Sequence, residues 1–168
     1  MLIDQKTVID LLLSRGISIK GALHIGAHEC EELNFYLQLG ITKFDIIWID
    51  GIPVKVKEAT DRGIPNVFHA LITNKDNEEI ALNVSNNFQS SSVLAFGSHA
   101  TEHPSVKYVD KIIQKSITVD SFFLTNGLDP TKFNFWNFDI QGAELMALQG
   151  ATQSLKYADA IYLEVNEK

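Results

Sequence analysis

The sequence predicts an α/β fold in which a mostly parallel, doubly wound sheet carries helices on both faces. Three observations predict it. Short apolar runs alternate with segments whose apolar residues recur at helical spacing, glycines follow the helical segments, and the connections are short. No repeat or low-complexity linker interrupts the 168 residues. We therefore expect a single domain over residues 1–168, in which residues 1–20 form an N-terminal helix and lead-in.

The first half of the chain alternates three helices with three strands. Gly16, Gly40 and Gly63 each stand just past a helical segment, where a glycine commonly ends a helix. Pro53 suits the first turn of the third helix. In chain order we expect a helix over residues 4–15, a strand over 21–25, a helix over 29–39, a strand over 44–50, a helix over 54–62 and a strand over 66–72.

The second half is less regular. Residues 79–84 and 115–119 alternate polar and apolar side chains, which favours strands with one solvated face that add to the sheet antiparallel. Residues 85–104 between them are rich in Ser and Asn and are interpreted as a functional loop. A strand over 135–139, a helix over 142–155 and a strand over 160–165 follow. This last apolar strand needs a cover: local packing, further chain, or the partner of a homo-oligomer.

Composition narrows the function. The formal net charge is −7 and 45% of residues are hydrophobic, which disfavours a broad nucleic-acid or anionic-membrane surface. No apolar run is long enough to span a membrane, and no secretory signal opens the chain. The single cysteine, Cys30, cannot form an internal disulfide. We expect a cytoplasmic protein with a small-molecule or glycan partner, no nucleic acid, no membrane and no metal.

Two consecutive strand ends carry residues suited to a nucleoside cofactor. In an open α/β sheet, ligands bind beyond the carboxyl ends of the strands. Gly26 ends the first strand, and Asp50 ends the second with a carboxylate that can accept both ribose hydroxyls. The alternatives are that Gly26 only makes a tight connection and that Asp50 is a solvated residue that caps its strand. Ala27 and Cys30 stand where a pyrophosphate-binding turn needs glycines, which disfavours a dehydrogenase that uses NAD.

Six short motifs, in this order and spacing, resemble the FkbM family of methyltransferases. They are HIGAH at 24–28, WID at 48–50, NFQSSS at 87–92, the pair His99 and His103 before Pro104, TVD at 118–120 and DIQGAE at 139–144. The similarity covers roughly residues 20–166. It implies a Rossmann-like class I methyltransferase fold, S-adenosyl-L-methionine as methyl donor, and O-methylation of a hydroxyl on a sugar, glycan or small natural product.

The candidate site residues fall into three groups. Asp139 ends the fourth core strand, where it could orient the acceptor, act as base or contact the cofactor; the alternative is that it caps the next helix. Glu144 could equally serve the helix dipole or a partner inside the fold. The catalytic candidates are Asp139, His99 and Glu144. The cofactor candidates are His24, Gly26, Ala27, His28, Asp50, Gly51 and Asp139. The substrate candidates are Asn87, Gln89, Ser90, His103 and Gln141.

The sequence also departs from the family pattern. Asp50-Gly51 stands where members usually show Glu-Ala, and we expect the fold to lack the C-terminal strand pair that follows the last strand in members. An alternative function is therefore a catalytically inactive Rossmann-like domain kept for binding or assembly. His99 to His103 formally match the zinc-protease pattern H-x-x-E-H, but Pro104 prevents the helix that such a site needs.

Overall fold

The structure is a computed structural model that describes residues 3–94 and 105–163. It contains five α-helices and eight strands within these ranges, and three short 3-10 turns. In chain order they are α1 Gln5–Ser14, β1 Ala22–Ile25, α2 Leu33–Gln38, a 3-10 turn Lys43–Asp45, β2 Ile46–Asp50, α3 Pro53–Asp61, β3 Val67–His69, β4 Leu71–Ile72, β5 Glu79–Ser85, β6 Tyr108–Ile117, α4 Val119–Thr125, a 3-10 turn Pro130–Lys132, β7 Phe135–Phe138, α5 Glu144–Gln149, a 3-10 turn Leu155–Tyr157 and β8 Ala160–Leu163.

The main sheet confirms the predicted α/β fold. Its five strands are all parallel, in the order β3-β2-β1-β7-β8. The strand order reverses between β1 and β7. The chain first adds β2 and β3 on one side of β1 and later adds β7 and β8 on the other side. Connections that diverge at such a switch point leave a crevice beyond the strand ends, where α/β proteins bind ligands.

Both faces of the main sheet are covered, which explains why its strands are continuous apolar runs. Helices α1, α2 and α3 pack on one face through residues such as Leu12, Phe35 and Ala59. Helices α4 and α5 pack on the other face through Phe122 and Ala147. Every residue of β1, β2 and β7 is buried between these layers. The sheet is therefore doubly wound, as predicted.

A second, three-stranded sheet has the order β4-β6-β5, with β5 antiparallel to β6 and β4 parallel to it. It corrects the prediction of one strand over residues 66–72. That segment divides at Ala70, whose N–H donates to the Asp50 carbonyl. Beyond it, Leu71 and Ile72 turn away from the main sheet and pair with Ser116 and Ile117.

The strand predicted over residues 115–119 begins earlier in the chain and is longer; it covers Tyr108–Ile117. Val119 instead begins α4, a helix that the local apolar pattern does not indicate. The change occurs at Thr118, whose hydroxyl accepts a hydrogen bond from the Ser121 N–H and so caps the helix. Val109 and Ile113 of β6 are exposed, which blurs the alternation that would have shown the strand's length.

Two predicted helices are shorter than expected. The helix predicted over residues 142–155 covers only Glu144–Gln149. It ends at Gly150, where a Cβ would stand 2.3 Å from the Thr73 carbonyl oxygen, so the chain passes against another backbone segment there. The helix predicted over residues 29–39 begins at Leu33, because Cys30 has a left-handed φ of 57°.

Strand β8 is the outer strand of the main sheet among the described residues, next to β7. The oligomer expected through this edge stays a prediction. No helix within residues 3–94 and 105–163 has the length and apolar character needed to cross a membrane.

Candidate functional site

A cleft lies at the carboxyl ends of β1, β2 and β7, where the strand order reverses. It encloses about 570 Å³ of empty space, part of which is open to solvent. Gly26, Asp50 and Asp139 all line it. The ends of three parallel strands therefore share one cavity, as the strand-end residues predicted.

Gly26 brings the end of β1 against the end of β7. Its φ is +91°, and a Cβ at this position would stand 1.9 Å from the Asp139 carbonyl oxygen. Its N–H donates to the Ile49 carbonyl at 2.8 Å, which fixes the turn against β2 as well. A glycine is therefore required by the neighbouring backbone, in addition to any ligand that the turn contacts.

Asp50 places a carboxylate in the wall of the cleft, with only 7% of the residue exposed. Its Oδ2 accepts from the His28 N–H and its Oδ1 from the Ile52 N–H, each at 2.7 Å. Burial raises the pKa of this carboxyl, and the two backbone donors offset part of that rise. Each oxygen retains a second acceptor site, so the carboxylate can hold a ligand while it ties the β1 and β2 loops together.

Asp139 is partly exposed at the opposite side of the cleft. Its N–H donates to the Ile25 carbonyl at 2.9 Å, and its Oδ1 accepts from Gln141 Nε2 at 2.8 Å. The residue that precedes α5 is Ala143, so Asp139 does not cap that helix. Its carboxylate is available to the cleft.

The loop rich in Ser that the sequence predicts over residues 85–104, hereafter the Ser-rich loop, reaches the cleft through Gln89, Ser91 and Ser92. Asn87 and Ser90, two of the predicted substrate residues, do not line it. Their side chains bond each other, with Asn87 Nδ2 donating to Ser90 Oγ at 3.0 Å. The sequence could not distinguish Ser90 from Ser91 and Ser92, because an irregular loop has no fixed period that assigns a side chain to one face.

An apolar wall completes the cleft, and sequence reasoning missed it. It comprises Ile52, Leu71, Ile72, Leu82 and Val93. These residues come from four separate chain segments, including the second sheet. Gly51 lets this wall approach, since a Cβ there would stand 3.0 Å from Leu82 Cδ2. A signal was present only in β5, where Leu82 and Val84 alternate with more polar residues.

Comparison with protein families identifies the family of the chain. The model that describes the methyltransferase FkbM domain matches residues 24–168, which include every cleft residue named above. The chain belongs to the FkbM methyltransferase family. It is therefore a methyltransferase, as its motifs predicted. Comparisons with curated proteins and with solved structures gave no match.

Two predicted cofactor residues of this FkbM domain lie away from the cleft. His24 is 1% exposed and points into the core on the opposite face of the sheet, where its ring packs 5.0 Å from that of Trp48. Its Nδ1 shares a 3.0 Å hydrogen bond with the Tyr36 hydroxyl. Ala27 is buried in the same core. His28 and Gly51, by contrast, line the cleft.

The buried His24 makes the domain's stability depend on pH. Burial lowers the pKa of His24 below its ordinary value of 6.5, so the folded state keeps this ring neutral while the unfolded chain takes up a proton. We expect full stability above pH 6.5 and a loss below it that approaches about 1.4 kcal/mol per pH unit. Urea denaturation at several pH values measures this. His24→Gln should flatten the profile, and the exposed His69→Gln control should leave it unchanged.

The remaining candidates are distributed as follows. Glu144 and Gln141 do not line the cleft, but both bond the turn that carries Asp139. Oε1 of Glu144 accepts from the Ile140 and Gly142 N–H groups at 3.0 and 3.2 Å. His99 and His103 lie outside the described residues, so their catalytic and substrate roles stay predictions.

Proposed function

We propose that this FkbM domain binds S-adenosyl-L-methionine in the cleft and methylates a hydroxyl of a sugar, glycan or small natural product. The observation that carries the proposal is the buried Asp50 carboxylate, which lines the same cleft as the Gly26 turn and the apolar wall. This combination suits a nucleoside, because the two ribose hydroxyls need a hydrogen-bond acceptor and the adenine ring needs apolar surface.

The residues present fit this cofactor. Asp50 would accept hydrogen bonds from the ribose hydroxyls, and Ile52, Leu71 and Leu82 would contact the adenine. The Gly26–His28 turn would hold the amino-acid end. When bound, S-adenosyl-L-methionine supplies an electrophilic methyl group.

The acceptor side is polar and mostly uncharged. Gln89 and Ser91 offer neutral donors and acceptors, and Ser92, whose hydroxyl hydrogen is donated to the Gln141 carbonyl, offers an acceptor. Such groups select hydroxyl-rich compounds, because a missing partner would leave a desolvated polar group unpaired. Asp139, whose backbone lies against the Gly26 turn, would contact the amino-acid end of the cofactor and orient the reacting hydroxyl, since in-line displacement depends mainly on positioning. His99 stays the candidate general base and His103 a candidate acceptor contact.

Calorimetry with S-adenosylhomocysteine tests the cofactor assignment, with NAD as the comparison ligand. We expect binding of the first and none of the second. Folded protein that gives no heat with millimolar S-adenosylhomocysteine would refute the assignment and favour the inactive binding or assembly domain. Transfer of isotopically labelled methyl to sugars and polyols, but not to matched amines, tests the acceptor class.

The pH dependence of this affinity is a further expected result. Affinity should fall as the pH drops through the pKa of Asp50, because protonation removes the charge that accepts the ribose hydroxyls. Since burial raises that pKa above its ordinary 3.8, the loss should begin at a higher pH than for an exposed aspartate. Calorimetric titrations over a pH series, with folding checked at each pH, measure the shift.

A further inference from the structure

The turn that follows β7 has an unusual backbone that needs support. Gln141 and Gly142 have left-handed φ angles of 53° and 96°. Non-glycine residues adopt this region at a cost, and it persists where surrounding contacts determine it. This turn joins Asp139, in the cleft, to Glu144 at the start of α5.

Glu144 supports the turn through its side chain. It is 7% exposed, and Oε1 accepts from the N–H groups of both Ile140 and Gly142. Glu144 is not among the described residues that line the cleft. Its carboxyl oxygen is therefore committed to the backbone that presents Asp139.

Ser92 supports the turn through a separate hydrogen bond. Its Oγ donates to the Gln141 carbonyl at 2.9 Å and accepts from the Leu94 N–H at 3.0 Å. Gln141 in turn donates through Nε2 to Asp139 Oδ1. A continuous set of hydrogen bonds thus runs from the Ser-rich loop to the Asp139 carboxylate.

We propose that Glu144 and Ser92 are positioning residues that hold the 139–142 turn in the one shape that presents Asp139 to the cleft. This inference rests on the proposed function. Glu144 acts through a carboxyl oxygen as a hydrogen-bond acceptor and takes no proton from the acceptor. Ser92 couples the loop that contacts the acceptor to the residue that orients it.

The variants Glu144→Gln and Glu144→Ala separate these roles. Glutamine keeps the oxygen that accepts from the two N–H groups, whereas alanine removes it. In Glu144→Ala we expect faster hydrogen exchange at the Ile140 and Gly142 amides without ligand, and about tenfold weaker binding of S-adenosylhomocysteine. In Glu144→Gln both quantities should stay within about threefold of the native values.

Ser92→Ala tests the second support. We expect faster exchange at the Leu94 amide, which loses its acceptor, and about threefold to tenfold weaker binding of S-adenosylhomocysteine, because the hydrogen bond to the Gln141 carbonyl is lost. Ser14→Ala is the matched control, because its hydroxyl also donates to a backbone carbonyl, at 2.8 Å, but on α1. That control should leave both readouts unchanged.

Two outcomes would overturn the inference. One is a Glu144→Gln variant as impaired as Glu144→Ala, which would mean that the charge itself is needed. The other is unchanged exchange at Ile140 and Gly142 in Glu144→Ala. If native protein fails to bind S-adenosylhomocysteine, the proposed function fails, but the amide exchange still reports on the turn. Should Glu144→Ala not fold, Glu144→Gln and Ser92→Ala retain the test.

Discussion

Replacing Gly26 with alanine is expected to destabilise the domain by about 3–5 kcal/mol and to disrupt the cleft. The left-handed φ of +91° costs about 1–2 kcal/mol for a residue with a Cβ. The larger part comes from the new Cβ, which would stand 1.9 Å from the Asp139 carbonyl oxygen. Because that atom is backbone, the ends of β1 and β7 must move apart.

Thermal and urea denaturation measure this loss, which should lower Tm by about 10 °C. Gly40→Ala is the matched control, with a similar φ of +87° and nothing within 4 Å of the new Cβ. It should cost only the conformational part, about 1–2 kcal/mol. Equal losses in the two variants would show that the approach of β1 to β7 is not tight.

Replacing Asp50 is expected to have the largest effect on cofactor binding. Asp50→Asn keeps the shape of the side chain but loses the charge and one acceptor, so we expect about 100-fold weaker binding of S-adenosylhomocysteine. The amide also presents an N–H₂ group to one of two backbone donors, which should cost about 1–3 kcal/mol of stability. Calorimetry and denaturation measure the two effects separately.

Asp120→Asn separates stability from affinity. Although burial opposes it, hydrogen bonds from Ser154, Gln153 and Thr152 lower the pKa of Asp120. This carboxylate is absent from the cleft lining and joins α4 to the segment after α5. Its variant should lose stability to a similar degree and bind S-adenosylhomocysteine normally. Native affinity in Asp50→Asn would refute the ribose assignment.

Much of the fold and part of the site could be predicted from local sequence. A parallel strand buried on both faces must be apolar, and this property made β1, β2 and β7 evident. The residues at their ends, Gly26 and Asp50, are polar or conformationally special because the chain leaves the core there. The FkbM motifs then gave the family, which the match over residues 24–168 shows.

Other features depended on contacts between distant residues. The segment at 66–72 divides because Leu71 and Ile72 pair with β6, more than 40 residues away in the chain. Helix α4 begins where Thr118 caps it, and α5 ends where Gly150 meets Thr73. Neither the cap nor the contact changes the local hydrophobic pattern from which elements are predicted.

The sequence by itself determined which segments form the buried strands and that Gly26, Asp50 and Asp139 stand at their ends, since a strand buried on both faces is an apolar run. Only the tertiary structure decided in which direction the side chains next to these strand ends point. His24 lies two residues from Gly26, yet it points into the opposite core, and Glu144 bonds the backbone instead of the cleft. A strand buried on both faces has no polar side, and a loop has no period, so the direction of a side chain there is set by packing alone.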